Sequence, residues 1–144
     1  MSLPVAYWDS SALIPLCVSQ PQSAMAGLLF EKFAVVSWWV TQVEMVSGLT
    51  RLIRMGQIST DQFRGGMQLM REITRGWNAV FPPPEIAVHA CSLLERYPLR
   101  AADALQLAVA FQACEQIPKD YIFITADLRL AGAARQSGFS VEFI

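Results

Sequence analysis

The chain has 144 residues, 53% of them apolar and 16% charged, with a formal net charge of −1 at pH 7. That length suits one domain, 1–144, built on a single sizeable core, and the apolar surplus leaves surface for a partner. The charge excludes an evenly basic nucleic-acid binder, but nine of the eleven cations are arginine, suited to forked phosphate contacts, so a local basic patch stays open.

Val5-Ala6-Tyr7-Trp8 is an apolar run that stops at Asp9-Ser10-Ser11, as a buried strand does when its exit residue caps a helix. A short helix is expected over residues 12–17, and Pro21 opens a second over 22–33. Residues 34–37 form the second strand candidate. Thr41 with Glu44 has the spacing of a capping box for a helix reaching about Met55, with Val43, Val46, Leu49, Leu52 and Ile53 as its buried stripe. Glu44, Gly48 and Arg51 share another face, which sets an acid and an arginine about two turns, or about 10 Å, apart. Ser59 with Gln62 opens a helix to about Trp77, interrupted by Gly65-Gly66, where a kink or close packing is expected. A strand over 79–81 ends at three prolines, and a helix over 84–97 follows. Leu99 starts the most apolar helix, running to about Gln116 with Asp103 in its first turns. Tyr121-Ile122-Phe123-Ile124 is apolar throughout, as a strand covered on both faces would be. A helix over 128–136, closed by Gly138, and a strand over 141–144 complete the chain. Strands separated by helices give an α/β class, a three-layer α/β/α sandwich with a mainly parallel central sheet.

Cys17, Cys91 and Cys114 are odd in number, lack CxxC spacing and sit among apolar residues, so they are expected to be reduced core residues of an intracellular protein. No zinc pattern, secretory leader or membrane-length apolar run is present, which makes a soluble, cytoplasmic protein the expectation. Met1-Ser2-Leu3 is compatible with a vector remnant or a native start. His89, the lone histidine, falls mid-helix and reads as structural.

The informative residues are acids in awkward places. Asp9 and Asp127 follow strands, while Glu44 and Asp103 sit near the starts of helices that can rise from the same sheet edge, where ligands bind in open parallel sheets. Each has a capping or dipole explanation of its own. Together they would repel unless a divalent cation neutralised them, and oxygen-only ligation suits Mg²⁺ or Mn²⁺. Such a site does phosphodiester chemistry. The P-loop and dinucleotide patterns are absent, and no Ser or Cys nucleophile has a base beside it.

Asp9-Ser10-Ser11-Ala12-Leu13, Glu44 ahead of Gly48-Leu49-Thr50-Arg51, Leu99-Arg100-Ala101-Ala102-Asp103-Ala104-Leu105, and Thr125-Ala126-Asp127-Leu128-Arg129-Leu130 resemble the successive motifs of a PIN domain. More narrowly, the chain over residues 5–144 resembles the VapC-type toxins of toxin–antitoxin pairs. The resemblance implies a Mg²⁺- or Mn²⁺-dependent endoribonuclease that is homodimeric and held inactive by a cognate antitoxin. It makes Asp9 and Asp103 the principal metal ligands, with Glu44 and Asp127 completing the acidic pocket directly or through water. Ser10 and Thr125 would orient carboxylates or water. Arg51 and Arg100 are expected phosphate contacts on helix-face grounds. Gln106 stands where many such chains carry His, a departure expected to touch substrate handling. Two rivals have sequence support to weigh. A PIN-like binding or scaffold module would suit the apolar Trp38-Trp39 pair and the low charge. A phospho-accepting receiver domain fits poorly, because its phosphorylated Asp follows the third strand and here Phe81 precedes three prolines.

Overall fold

The computed structural model describes residues 2–144; Met1, the first of three residues whose native origin the sequence leaves open, lies outside the described residues. In chain order the elements are β1 (Val5–Trp8), α1 (Ser10–Cys17), α2 (Ser23–Lys32), β2 (Ala34–Ser37), α3 (Trp39–Arg54), α4 (Thr60–Gly76), β3 (Asn78–Ala79), α5 (Ile86–Arg96), α6 (Ala101–Ala113), β4 (Ile122–Thr125), α7 (Leu128–Gln136) and β5 (Ser140–Phe143). The strands pair in parallel in the order β3-β2-β1-β4-β5. The order runs outward from β1 in one direction, then resumes beside β1 with β4, so the topological switch lies between these two strands.

Side-chain alternation along the strands divides the core into two layers. Ala6, Trp8, Val35 and Ile124 face α1 to α4, where they meet Leu13, Leu29, Met45, Leu49 and Met70. Tyr7, Val36 and Phe123 face the other way, onto Leu93, Leu107, Leu130 and Phe139 of the layer that α5 to α7 build. This is the expected three-layer α/β/α sandwich, with its parallel sheet covered on both faces. Full burial of a side chain such as Phe123 stabilises by about 2–3 kcal/mol, and aromatic contact with Tyr7 at 5.4 Å and Phe139 at 5.6 Å adds to it.

Most elements fall within one to three residues of where the sequence places them. The strand expected over 79–81 is Asn78–Ala79, with Phe81 outside it and exposed, and the helices expected over 84–97 and 99–116 are the shorter Ile86–Arg96 and Ala101–Ala113. α3 starts at Trp39 rather than after Thr41, since Thr41 already donates its amide to the Trp38 carbonyl at 3.0 Å. Thr41 is therefore inside the helix, its hydroxyl buried, and no capping box joins it to Glu44. The shifted start turns Val43 outward, 58% exposed, and puts Thr41, Met45 and Leu49 on the buried side. The Ser59–Gln62 capping box of α4 is present in both directions. Gly65-Gly66 does not break α4. A Cβ on Gly66 would fall 2.9 Å from Val18 Cγ1 and 3.3 Å from the Cys17 carbonyl, so the glycine is there to let α4 pack against the end of α1. Cys17 and Cys114 are buried, whereas Cys91 faces outward on α5 and is no core residue. His89 lies against Phe111, ring centroids 5.0 Å apart, and partial burial lowers its pKa. Trp38 packs into the core while its neighbour Trp39 is 62% exposed. No helix among the described residues is long and apolar enough to cross a membrane.

Candidate active site

The buried polar side chains among the described residues are Asp9, Ser37, Thr41, Gln106 and Thr125. Each stands at or just beyond the carboxyl ends of β1, β2 and β4, or on a helix facing that edge. Polar groups cost free energy when buried unless they are paired, so a single cluster of them marks where the fold spends stability on something other than packing.

Asp9 lies at the floor of this edge, directly after β1. Its carboxylate accepts from Ser11 Oγ, at 2.8 and 3.0 Å to the two oxygens, and from the Ser11 amide at 3.4 Å, which makes it the N-cap of α1. Ser11 Oγ also lies 3.2 Å from Thr125 Oγ1 and accepts the Ala126 amide at 2.8 Å. Thr125 Oγ1 in turn accepts the Asp127 amide at 3.0 Å. The ends of β1 and β4 are thereby sewn together through two hydroxyls. Burial, with a smaller push from the Glu44 charge, lifts the Asp9 carboxyl to about 7 against the hydrogen bonds from Ser11 and Thr125.

The other three acids line one cavity of about 670 Å³, together with Arg51, Arg100 and Arg129. Glu44 projects from α3, in the layer on one face of the sheet, while Asp103 and Asp127 come from the starts of α6 and α7 on the other. Asp127 caps α7, accepting the Leu130 amide at 2.9 Å. Asp103, in the first turn of α6, is raised by burial and by the Asp127 charge, and held down by the Arg100 amide and the Arg100 and Arg129 charges. Glu44 is raised by burial and by Asp103, and lowered by a hydrogen bond from Gln106. The acids thus influence one another in sequence around the cavity, Asp9 with Glu44, Glu44 with Asp103, Asp103 with Asp127.

Behind Glu44, Gln106 is 1% exposed. Its Oε1 accepts from Tyr7 Oη at 2.5 Å, and its Nε2 donates to Thr41 Oγ1 at 2.9 Å and to Glu44 Oε1. Ser37 Oγ sits between Thr41 Oγ1, 2.8 Å away, and the Trp8 carbonyl oxygen at 3.0 Å. Gln106 therefore faces the core and the back of Glu44, not a substrate, which corrects the expectation drawn from its identity.

A second cavity, about 440 Å³, adjoins the first at Glu44 and Arg51 and is lined also by Ser10, Ser47 and Gly48. The shared face of Glu44, Gly48 and Arg51 expected from helix spacing is the wall of this groove. Ser10 lines it without bonding Asp9; the hydroxyl on that carboxylate is Ser11's, because Ser11 lies two residues on from the cap. Residues that sequence reasoning passed over are Ser11, Tyr7, Ser37 and Arg129, along with Thr41 in its buried role. A lone amide inside Ala104-Leu105-Gln106-Leu107-Ala108, one turn after Asp103, carried the same signal as Asp103 itself: a polar side chain in an apolar helix demands a partner.

The donor chemistry around the cavity is all oxygen, which fits a hard dication, and Asp9 is a buried carboxylate served only by neutral hydrogen-bond donors. Among the described residues, however, no three His, Cys, Asp or Glu side chains converge closely enough to form a ready cage for an ion. The expectation that four carboxylates would meet at one point is thereby corrected: three share a cavity and Asp9 lies beneath, each with part of its charge already answered by a helix end, an amide or an arginine. An ion here would be held by one or two carboxylates with water completing its shell, a normal arrangement for Mg²⁺.

No family model and no curated protein matches the chain. Among the solved structures that share its fold are the following two. PAE2754 from Pyrobaculum aerophilum superposes with a TM-score of 0.65 at 18% identity, over 96% of this chain and 92% of that one. A toxin–antitoxin complex from Klebsiella pneumoniae gives a TM-score of 0.59 at 21% identity, over 88% of this chain and 91% of that one. The fold is PIN-like.

Proposed function

We propose that this chain is a Mg²⁺- or Mn²⁺-dependent endoribonuclease, the toxin of a type II toxin–antitoxin pair. In this reading residues 1–144 form one PIN-like domain, cytoplasmic and homodimeric, whose activity a cognate antitoxin restrains. The observation that carries it is the cavity at the β1/β4 switch, which Glu44, Asp103 and Asp127 line together with Arg51, Arg100 and Arg129, beside a buried Asp9. Carboxylates beside arginines suit a phosphodiester: one set handles a cation and a proton, the other the phosphate charge. The resemblance of the four motifs to VapC-type toxins and the fold shared with a toxin–antitoxin complex support the same reading.

Asp9 and Asp103 would be the principal ligands of the ion, with Glu44 and Asp127 completing its surroundings directly or through water. When bound, the ion would supply Lewis-acid activation and neutralise charge developing on the phosphate. The chain's own contribution is placement. Ser11 and Thr125 fix Asp9 to the end of β4, the starts of α6 and α7 turn their positive ends to the cavity, and Arg51, Arg100 and Arg129, which line it, would contact phosphate oxygens. With a net charge of −1, affinity would come from these few contacts, favouring a narrow RNA substrate.

The absence of a ready ion cage favours one alternative, a PIN-like module that binds without cutting. The two separate on one experiment. Purified protein, freed of antitoxin, is expected to cleave single-stranded RNA with Mn²⁺ and not with EDTA, and Asp9→Asn or Asp103→Asn to abolish cleavage while retaining a cooperative thermal melt. Cleavage that survives EDTA refutes the metal mechanism. Intact folding with no cleavage of a broad RNA pool, with Mn²⁺ present, selects the binding module.

A further inference from the structure

Glu44 is a flexible side chain at the mouth of a wide cavity, yet it meets a donor that cannot move. Gln106 is buried on every side, and both ends of its amide are engaged: the oxygen by the Tyr7 hydroxyl, the nitrogen by Thr41 and Glu44. Tyr7 is itself fully buried on β1, on the strand face shared with Asp9 two residues on. The amide is thus braced by the central strand, and it reaches Glu44 across the gap between α6 and α3, two helices from opposite layers. A free Glu explores several rotamers, whereas one hydrogen-bonded to a locked partner keeps one. The partner is also neutral. An arginine in its place would fix Glu44 but cancel its charge; an amide fixes it and leaves the full negative charge facing the cavity.

We propose that Gln106 is a positioning residue: braced by Tyr7 and Thr41, it holds the Glu44 carboxylate in one orientation at the cavity mouth without neutralising it. The inference deepens the nuclease reading and rests on it for the meaning of that orientation, though not for the orientation itself.

The test uses the whole chain as wild type, Gln106→Met, and the exchanged pair Glu44→Gln/Gln106→Glu, with the Glu44 carboxyl carbon followed by ¹³C NMR in EDTA. In the wild type that resonance is expected to be single and sharp, and in Gln106→Met to shift and broaden as the side chain samples several rotamers. An unchanged resonance in Gln106→Met overturns the proposal, whether or not the protein cuts RNA. Mn²⁺ binding, read by electron paramagnetic resonance, is expected to weaken about ten- to a hundredfold in Gln106→Met, with kcat falling similarly and KM for RNA held. The exchanged pair keeps the hydrogen bond and the net charge but sets the charge one residue back. It is expected to fold cooperatively but melt below the wild type at neutral pH, because the charge is now buried. It is still expected to bind Mn²⁺ poorly, and wild-type Mn²⁺ binding in that variant overturns the proposal. Wild-type protein that shows the sharp Glu44 signal but no Mn²⁺-dependent cleavage sinks the nuclease reading alone.

Discussion

Replacing Asp9 with Asn is expected to make the metal-free protein more stable, and to do so only as the pH rises. Asp9 is 4% exposed, and burial lifts its carboxyl from an ordinary value of 3.8 to about 7. A carboxyl raised in the folded state binds its proton more tightly there than in the unfolded chain. The folded state therefore loses stability as pH climbs from 3.8 to about 7, and the loss is complete and constant above that. A shift of this size corresponds to about 4 kcal/mol at pH 8 and about 1.5 kcal/mol at pH 5. Asn removes the charge but keeps only one oxygen for Ser11, at a cost of about 1 kcal/mol. The net expectation is a gain of about 2–3 kcal/mol for Asp9→Asn at pH 8 and almost none at pH 5. Urea unfolding in EDTA at the two pH values measures it. Millimolar Mn²⁺ at pH 8 should reverse the ranking, because the wild type gains from the ion and the variant does not. A variant less stable than wild type at pH 8, or a difference independent of pH, would refute the argument that the buried carboxylate is an unmet charge.

The remaining expectations address the cavity and the frame that holds it. Arg100→Ala and Arg129→Ala, each removing one cation from the cavity, should raise KM for RNA and reduce the salt dependence of binding by about one unit of slope, checked by titration across KCl concentrations. Gly65→Ala, at an exposed helical site with nothing within 4 Å of a new Cβ, should stabilise by about 1 kcal/mol, whereas Gly66→Ala, facing Val18 and the Cys17 carbonyl, should destabilise. Equal effects in urea melts would show that the α1–α4 contact has slack. Phe123→Ala should cost about 3–5 kcal/mol, read from the same melts, since the ring is fully buried between Tyr7 and Phe139.

Apolar runs and their punctuation made the layers legible in the sequence. Val5-Ala6-Tyr7-Trp8 and the run ending at Ile124 are short, continuous and bounded by Asp or Thr, and only a doubly covered strand tolerates that pattern. Asp9, Glu44, Asp103 and Asp127 stood out because carboxylates beside such runs are costly. What periodicity could not give was phase. The turn after Ser37 is tighter than a Thr cap would require, so α3 starts earlier and Val43 faces outward while Thr41 faces in. Nor did spacing distinguish Ser10 from Ser11, adjacent residues whose side chains point about 100° apart on a helix, so that only one meets Asp9. The apparent convergence of four acids rested on strand and helix ends sharing an edge. An edge is a line several strands wide, and coordination needs agreement within a few ångströms, which is set by side-chain packing that no spacing rule encodes.

The pairing of β1 with β4 also governs when the candidate site can form. Tyr7 registers with Phe123, and the Asp9 amide donates to the Ile124 carbonyl at 3.3 Å, so the first strand made waits for a neighbour more than a hundred residues downstream. On the ribosome β1 and β2 can pair early, but the seam between Ser11 and Thr125 closes only after residues 122–127 have left the exit tunnel. The candidate site therefore assembles in one late, long-range step rather than piecemeal during synthesis.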